Sequence, residues 1–249
     1  MKIALITDTH FGARNDNLAF NDYFYEFWEK TFFPYIEENG IDTVIHLGDV
    51  MDRRKFVSYK IAQDFRKRFI QRFVDKGVTL HMMVGNHDTF YKNTNDLNAL
   101  KELLGHYMGE VTIHMDPTVL NLNGFKLALL PWVCSENYDK SLEFIKTCKA
   151  DWLGGHLELQ GFDVLKGVQA HAGMDHKIFS RFEKVISGHF HTASRQDNVW
   201  YLGSQMEFFW SDAGDKKGFH ILDTETRELE KIHNPHTLFK KVLYNLVSY

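Results

Sequence analysis

Residues 1–10 read MKIALITDTH, so the apolar run IALIT leads directly into Asp8-Thr9-His10. The same order, an apolar run followed by side chains that often bind metals, recurs further along the chain. The later motifs are Gly48-Asp49 with Asp52, Gly85-Asn86-His87-Asp88, Gly155-His156 and Gly188-His189-Phe190-His191. In open α/β sheets, ligands gather beyond the carboxyl ends of the strands, where several loops converge. Five such motifs therefore predict a site for two divalent metal ions.

The length and composition indicate a globular protein without disulfides or membrane segments. The 249 residues fit one large domain. Cys134 and Cys148 lie outside any metal-binding spacing and indicate free thiols in a reducing compartment. The first apolar run ends at Asp8 without a signal-peptide cleavage site, and no stretch approaches the ~18 apolar residues of a membrane helix. We expect a soluble, cytoplasmic protein with no membrane partner.

Charge is distributed unevenly along the chain. Although the net charge is −4, residues 53–76 hold nine Lys and Arg residues against Asp64 and Asp75. This segment therefore carries +7 and the remainder −11. Two interpretations stay open, because such a segment could follow nucleic-acid phosphates or form the solvated face of a helix.

The first third of the chain alternates between strands and helices. We predict strands at 2–8, 42–47 and 78–84, separated by helices at 18–39 and 57–76. In the second helix, Ile61, Phe65, Phe69 and Phe73 recur every fourth position and predict one buried face. Gly40 is the expected stop of the first helix. This βαβαβ order predicts a parallel sheet with right-handed crossovers.

The remainder of the chain is predicted to be richer in strands. A helix is expected near 94–104, a hairpin at 119–122 and 125–130 around Asn123-Gly124, and a helix at 137–149. Further strands are predicted at 151–155, 183–188, 198–202, 218–223, 227–232 and 240–247. The predicted fold class is α/β, with two facing mixed β-sheets flanked by helices in a single domain, 1–249.

The spacing within two motifs suggests how their side chains converge. In an extended segment, residues i and i+2 point to the same side. Asp8 and His10 would therefore face one metal together while Thr9 points away. The same argument pairs His189 with His191 and turns Phe190 into the packing behind them.

Taken together, the motif order DxH, GDxxD, GNHD, GH and GHxH resembles the calcineurin-like metallophosphoesterase superfamily. Within it, the chain resembles the recombination nuclease branch, which includes the bacterial exonuclease subunit SbcD and a phage recombination endonuclease subunit. The phage-like stretches are GVTLHMMVGNHDTFYKN (77–93), PWVCSEN (131–137), HLELQGF (156–162) and KGFHILDT (217–224). The resemblance implies a four-layer sandwich fold and, for a phage-encoded chain, the host cytoplasm.

The resemblance also implies roles for individual residues. One metal would be held by Asp8, His10, Asp49 and His191, and a second by Asp49, Asn86, His156 and His189. His87 would protonate the departing sugar oxygen, and Asp88 would orient His87 or a neighbouring ligand. Mn²⁺ is the metal that the resemblance favours, with Mg²⁺, Fe²⁺ and Zn²⁺ as alternatives, because a mixed imidazole, carboxylate and amide site does not select among them.

Two assignments have competing interpretations. His171 and His176 are rivals of His156 as a ligand, because His156 stands in a short motif. Asp52 occupies a position where many members of the nuclease branch have histidine. It would either support a metal ligand or accept a salt bridge from Arg53 or Arg54.

The resemblance implies a two-metal DNA phosphodiesterase with 3′-to-5′ exonuclease and single-strand endonuclease activity. It would process DNA breaks in recombination with an SMC-type coiled-coil ATPase and could form a homodimer. The capping domain and the ATPase-binding tail of relatives are expected to be missing. The alternatives are a small-molecule or protein phosphoesterase, and a non-enzymatic interaction module.

Overall fold

The first of two β-sheets carries the amino-terminal motif loops. A computed structural model describes residues 1–107, 109 and 111–242. Four strands of the first sheet are parallel to one another, β1 (Lys2–Ile6), β2 (Thr43–His46), β3 (Thr79–Met83) and β4 (Val111–His114). Two antiparallel strands, β13 (Gly218–Asp223) and β14 (Leu229–His233), extend the sheet beyond β1. The strand order is β14-β13-β1-β2-β3-β4, which confirms the predicted parallel βαβαβ unit.

The second sheet is also mixed, with parallel strands inside and an antiparallel strand at each edge. Its strands are β5 (Thr118–Leu122), β6 (Phe125–Leu130), β7 (Trp152–His156), β10 (Lys184–Gly188), β11 (Ser194–Gln196) and β12 (Val199–Tyr201). They lie in the order β11-β12-β10-β7-β6-β5. Asn123 (φ 52°) and Gly124 (φ 95°) both have the positive φ of a type I′ turn, so the predicted hairpin is confirmed. A separate hairpin consists of β8 (Asp163–Leu165) and β9 (Val168–Gln169).

Two long helices cover the outer face of the first sheet, and each contains a π-helical segment. Helix 18–38 comprises Leu18–Phe27, the π segment Trp28–Phe32 and Phe33–Glu38, and ends at Gly40 (φ 61°) as predicted. Helix 59–76 comprises Tyr59–Asp64, the π segment Phe65–Ile70 and Gln71–Lys76. Their π segments face each other, since the rings of Trp28 and Phe69 lie 5.0 Å apart. Because a π segment inserts one extra residue per turn, a period of 3.6 could not predict it.

The core consists of apolar layers on both sides of each sheet. Between the sheets, Leu5 and Ile45 of the first pack against Leu127, Trp152 and Ile186 of the second. The helix aromatics fill the layer outside the first sheet, and Ile145 of helix Tyr138–Thr147 packs outside the second. Two facing mixed sheets flanked by helices are therefore confirmed.

Several predicted boundaries were wrong. The helix expected at 94–104 spans only Ala99–Leu104, because the Asn98 side chain accepts the Lys101 N–H and caps it there. Strands β4, β8, β9 and β11 were missed, since they are short and weakly patterned. Of the strand predicted at 240–247, residues 240–242 are not extended in a sheet, and 243–247 lie outside the described residues. No helix in the described part of the chain is long and apolar enough to span a membrane.

The basic segment 53–76 is largely matched by acidic partners. Ion pairs link Arg53 to Asp16, Lys60 to Asp64, Arg68 to Asp22 and Glu29, and both Arg72 and Lys76 to Glu37. Arg68, Arg72 and Lys76 of helix 59–76 are thus paired with acidic residues of helix 18–38, whereas Lys60 is paired within its own helix. This pairing supports the helix-face interpretation for most of the segment. Arg54 and Lys55 instead lie beside Thr89 and Phe90, next to the GNHD motif.

Candidate metal centre

The five motifs meet at one edge of the molecule. Asp8, Asp49 and Asn86 lie on loops that follow β1, β2 and β3, while His156 ends β7 and His189 follows β10. The two sheets face each other, so these carboxyl ends bring residues that are far apart in sequence into contact. Asp8 and His156 are completely buried. The predicted convergence of the loops is therefore present in the fold.

The first ligand group contains Asp8, His10 and His191. The Nε2 atoms of His10 and His191 lie 3.0 Å apart, and Asp8 Oδ1 lies 3.9 Å from the first and 3.8 Å from the second. Bonds of ~2.0–2.1 Å from one ion to two imidazoles place their nitrogens roughly 3 Å apart. His10 Nδ1 has no hydrogen-bond partner among the described residues. This donor set fits a divalent cation.

The second ligand group contains Asp49, Asn86, His156 and His189. Asn86 Oδ1 lies 2.9 Å from His156 Nε2 and 2.9 Å from His189 Nδ1. His156 Nε2 also lies 3.2 Å from Asp49 Oδ1. His156 Nδ1 donates to the Leu47 carbonyl at 2.8 Å, which turns Nε2 toward the group. The donors again mix nitrogen and oxygen, as borderline divalent metals prefer.

Asp49 lies between the two groups. Its Oδ1 faces His156, whereas its Oδ2 lies 3.9 Å from His10 Nε2 of the first group. The backbone N–H of His87 donates to Asp49 Oδ1 at 2.7 Å and fixes the carboxylate in this orientation. A carboxylate with one oxygen toward each donor group has the arrangement of a ligand that bridges two cations.

The backbone at the motifs is not extended, contrary to the argument from i and i+2 positions. Asp8, His10, Asp49 and His189 have φ values of 51°, 44°, 55° and 87°. Such conformations are rare outside glycine and cost on the order of 1–3 kcal/mol each. Hydrogen bonds between loops offset this cost, as the Asp8 N–H donates to the Gly48 carbonyl at 3.0 Å. Tight left-handed turns still direct Asp8 and His10 to one ligand group, but His189 and His191 face different groups, so the predicted pairing of these two histidines was wrong.

Gly85 allows the second and third loops to approach each other. A Cβ atom at this position would lie 2.2 Å from the Asp49 nitrogen and 2.3 Å from its Oδ1. No side chain can occupy that space without moving the bridging carboxylate. The glycine of the GNHD motif is therefore required by close contact.

Burial and neighbouring charges set the ionisation of the buried side chains. Burial, together with nearby imidazoles, lowers the pKa of His10 well below its usual value and that of His189 to about 3. Burial alone would raise the pKa of Asp49, but the charge and hydrogen bond of His156 hold it well below its ordinary value. Burial would likewise lower the pKa of His156, yet Asp49 raises it to about 9. An ionised Asp49 and neutral His10 and His189 are the forms that bind metals, whereas His156 must release a proton when its Nε2 binds an ion.

Comparison with known proteins identifies the family. The family model for calcineurin-like phosphoesterases matches residues 1–193. The chain belongs to the calcineurin-like phosphoesterase family. It is also 38% identical over 244 residues to exonuclease subunit 1 of Enterobacteria phage T4, covering 98% of this chain and 71% of that relative. The solved structure of a novel archaeal phosphodiesterase is 19% identical, with a TM-score of 0.46 over 94% of this chain and 99% of the other. That similarity is too distant to support an inference.

Membership of the phosphoesterase family confirms the predicted enzyme class, a metal-dependent hydrolase of phosphate esters. Within this phosphoesterase, His87 lies beside the first ligand group. Its ring centroid is 4.9 Å from that of His10, and its Nδ1 lies 2.5 Å from the Asp52 backbone carbonyl. Because Nδ1 is engaged by a carbonyl, it carries the proton, and Nε2 is left to face the site. His10, Asp49 and His87 could also hold an ion, because their ligand atoms lie within 4.8 Å of one another.

Of the two roles expected for Asp88, its contacts agree with support of a neighbouring ligand, because they lie on the loop that carries Asp49. Asp88 Oδ1 accepts the N–H groups of Val50 and Met51 at 2.9 Å each, and its Oδ2 accepts the Gly85 N–H at 2.8 Å. The carboxylate therefore ties the Asp49 loop to the GNHD loop and does not contact the His87 ring. Burial raises the pKa of Asp88 to about 7, while backbone N–H donors, including those of Met51 and Gly85, oppose the shift.

Asp52 lies beside a ligand histidine. Its Oδ1 is 3.6 Å from His10 Nδ1, and burial raises its pKa to about 6. Arg53 forms its ion pair with Asp16 instead, and Arg54 donates to the Thr89 hydroxyl. Of the two interpretations of Asp52, the geometry favours support of a ligand.

The rivals of His156 lie elsewhere. His171 and His176 line a separate surface cavity, where His176 Nε2 is 3.1 Å from Asp197. Three other neighbours of the site, Gln205, Trp132 and Phe208, could not be singled out from the sequence. Gln205 donates to the Asp8 backbone carbonyl at 3.0 Å. The Trp132 ring lies 5.4 Å from that of His189, and the Phe208 ring lies 5.2 Å from that of His10. The only sequence signals for these neighbours were a tryptophan shortly after a predicted strand, for Trp132, and the aromatic run EFFW, for Phe208.

Proposed function

We propose that this phosphoesterase is a two-metal-dependent DNA phosphodiesterase, with 3′-to-5′ exonuclease and single-strand endonuclease activity in recombination and break processing. The position of Asp49, with one oxygen toward each donor group, carries the two-metal part of the proposal. The similarity to a phage exonuclease subunit over nearly the whole chain supports the nuclease part.

From the donor set we propose which residues hold each cation. Asp8, His10, His191 and Asp49 would hold one ion, and Asp49, Asn86, His156 and His189 the other. When bound, two divalent cations offset the negative charge of the phosphate and lower the pKa of water toward neutrality. Neutral Asn86 adds an oxygen donor without further negative charge. We propose Mn²⁺ as the metal, with Mg²⁺, Fe²⁺ and Zn²⁺ as alternatives.

His87, Asp52 and Asp88 would transfer a proton or hold other residues in place. Hydrolysis forms one bond from a water oxygen to phosphorus and breaks the bond from phosphorus to the departing sugar oxygen. His87, with a proton on both ring nitrogens, would give the Nε2 proton to the departing oxygen, while its Nδ1 still donates to the Asp52 carbonyl, which orients the ring. The Asp52 carboxylate would orient His10, and Asp88 would hold the two central loops together.

Partners follow from the same proposal. The substrate would be DNA, and Arg54 and Lys55 lie near the GNHD loop, where they could contact phosphates. The name of the phage relative describes a subunit, which supports a partner for this chain as well. We propose an SMC-type coiled-coil ATPase as that partner, and a homodimer as the assembly.

The test is cleavage of labelled DNA. Purified protein with Mn²⁺ should shorten the strands of a 5′-labelled duplex stepwise from their 3′ ends and cut single-stranded circles, and chelation should stop both reactions. The Asp49→Asn variant, purified in the same way, controls for contaminating nucleases. Absence of cleavage by the wild-type protein, also with the ATPase partner present, contradicts the proposal.

One observation favours a second candidate, a small-molecule or protein phosphoesterase. Five of the nine basic residues at 53–76 form ion pairs with acidic residues, so fewer positive charges are left there to bind DNA phosphates. Turnover of bis(p-nitrophenyl) phosphate should exceed that of p-nitrophenyl phosphate for a diesterase. The opposite preference supports the second candidate.

A further inference from the structure

Two cavities open beside the ligand groups, and they share no lining residue. The first has a volume of about 320 Å³, borders His156 and is walled by Trp132, Tyr138, Glu158 and Met174. We call it the Trp132 cavity. The second has a volume of about 260 Å³ and borders His10, His87 and His191. A phosphate at the centre would therefore have separate spaces for its two substituents.

The position of His87 indicates which cavity holds which half of the substrate. If His87 protonates the departing oxygen, the departing half of the substrate lies in the cavity that contains His87. The half that keeps the phosphate must extend in another direction, and the Trp132 cavity lies on the His156 side. This step rests on the proposed diesterase function.

The lining of the Trp132 cavity suits an uncharged aromatic group. Trp132 and Tyr138 supply aromatic rings, and Tyr138 is 44% exposed. Glu158 is the one Asp or Glu among the lining residues, and no Lys or Arg is present. A second phosphate would be repelled there, whereas the N–H groups of a nucleobase could donate to Glu158. Indole and base surfaces stack well and with little dependence on sequence.

We propose that the Trp132 cavity receives the base of the nucleotide that keeps the phosphate after cleavage, stacked on the indole of Trp132. The cavity would thus bind the terminal nucleotide and distinguish nucleotide esters from esters without a base. Trp132 acts as a specificity residue and takes no part in proton transfer.

Turnover of p-nitrophenyl phosphate diesters with and without a nucleobase tests the proposal. The thymidine 5′- and 3′-(p-nitrophenyl phosphate) esters both keep thymidine on the phosphate when p-nitrophenolate leaves, whereas methyl p-nitrophenyl phosphate has no base. Trp132→Ala should raise KM about 5- to 100-fold for at least one thymidine ester, with kcat/KM for the methyl ester unchanged. Trp132→Phe should restore most of the KM. Trp200→Ala, which removes an indole from strand β12 that does not line the Trp132 cavity, should change none of these values.

A binding measurement separates the cavity from the chemistry. The fluorescence of 2-aminopurine deoxyriboside 5′-monophosphate should be quenched by the wild-type protein and far less by Trp132→Ala. Equal losses on all three esters would overturn the proposal, because they indicate that Trp132 only supports His189. Unchanged KM and quenching would also overturn it. If the wild-type protein cleaves neither DNA nor any ester, the proposed function fails, and the quenching still decides the occupant of the cavity.

Discussion

Replacement of Asp88 by asparagine tests how the site is held together. The Asp88 side chain is completely buried and accepts three backbone N–H groups, two on Oδ1 and one on Oδ2. All three partners are donors, so these bonds favour the ionised carboxylate. In Asp88→Asn, the amide oxygen can keep the bonds to Val50 and Met51. The amide nitrogen then faces the Gly85 N–H, and two donors oppose each other.

The expected cost of Asp88→Asn follows from this geometry. One buried N–H left without an acceptor costs about 1–3 kcal/mol, a sizeable part of the ~5–15 kcal/mol that stabilises a typical domain. Asp88→Ala leaves all three N–H groups without acceptors and should cost up to roughly three times as much. Because the bonds join the Asp49 and GNHD loops, metal affinity should fall with stability.

Urea denaturation followed by tryptophan fluorescence measures the free energy of unfolding, and elemental analysis measures bound metal. Asp96→Asn is the matched control, since Asp96 is 81% exposed in a nearby loop and should change stability by less than about 0.5 kcal/mol. The reasoning is refuted if Asp88→Asn unfolds at the wild-type urea concentration and keeps its full metal content.

Four further substitutions test individual residues. Asp49→Asn should lower the occupancy of both cations together, measured by elemental analysis; loss of only one ion contradicts a bridging role. His87→Ser should keep its metals and slow DNA cleavage by about 10²–10⁴-fold, so that loss of metal shows His87 to be a ligand. Gly85→Ala should reduce metal binding, because its Cβ would displace Asp49; wild-type affinity in a titration contradicts the close contact. Burial lowers the pKa of His220 to about 3, so protonation of the unfolded chain costs stability as the pH falls below about 6.5. Between pH 7.5 and 5, His220→Gln should lose about 2 kcal/mol less than the wild type in urea unfolding, and equal losses refute this.

The sequence could predict which strands and motifs build the site, because local pattern determines both. Apolar runs such as IALIT become buried parallel strands, and polar residues at their carboxyl ends meet wherever the strands share a sheet edge. The hairpin at Asn123-Gly124 was predictable for the same reason, since a type I′ turn requires positive φ at two adjacent residues.

The features of the site that could not be predicted from the sequence depend on contacts between distant segments. The left-handed conformations of Asp8, His10 and His189 are held by neighbouring loops and conflict with local preference. The acceptor role of Asp88 requires the positions of Val50 and Met51, which no spacing reveals. The pairing of Arg68 with Glu29 likewise exists only once two helices pack.

A crystal structure of the Mn²⁺-soaked protein, with anomalous data at the manganese edge, tests the central claim most directly. Two peaks should appear about 3.5–4 Å apart, with one Asp49 oxygen bound to each ion and with His191 and His156 on different ions. A single peak, or two peaks without Asp49 between them, contradicts the two-metal site.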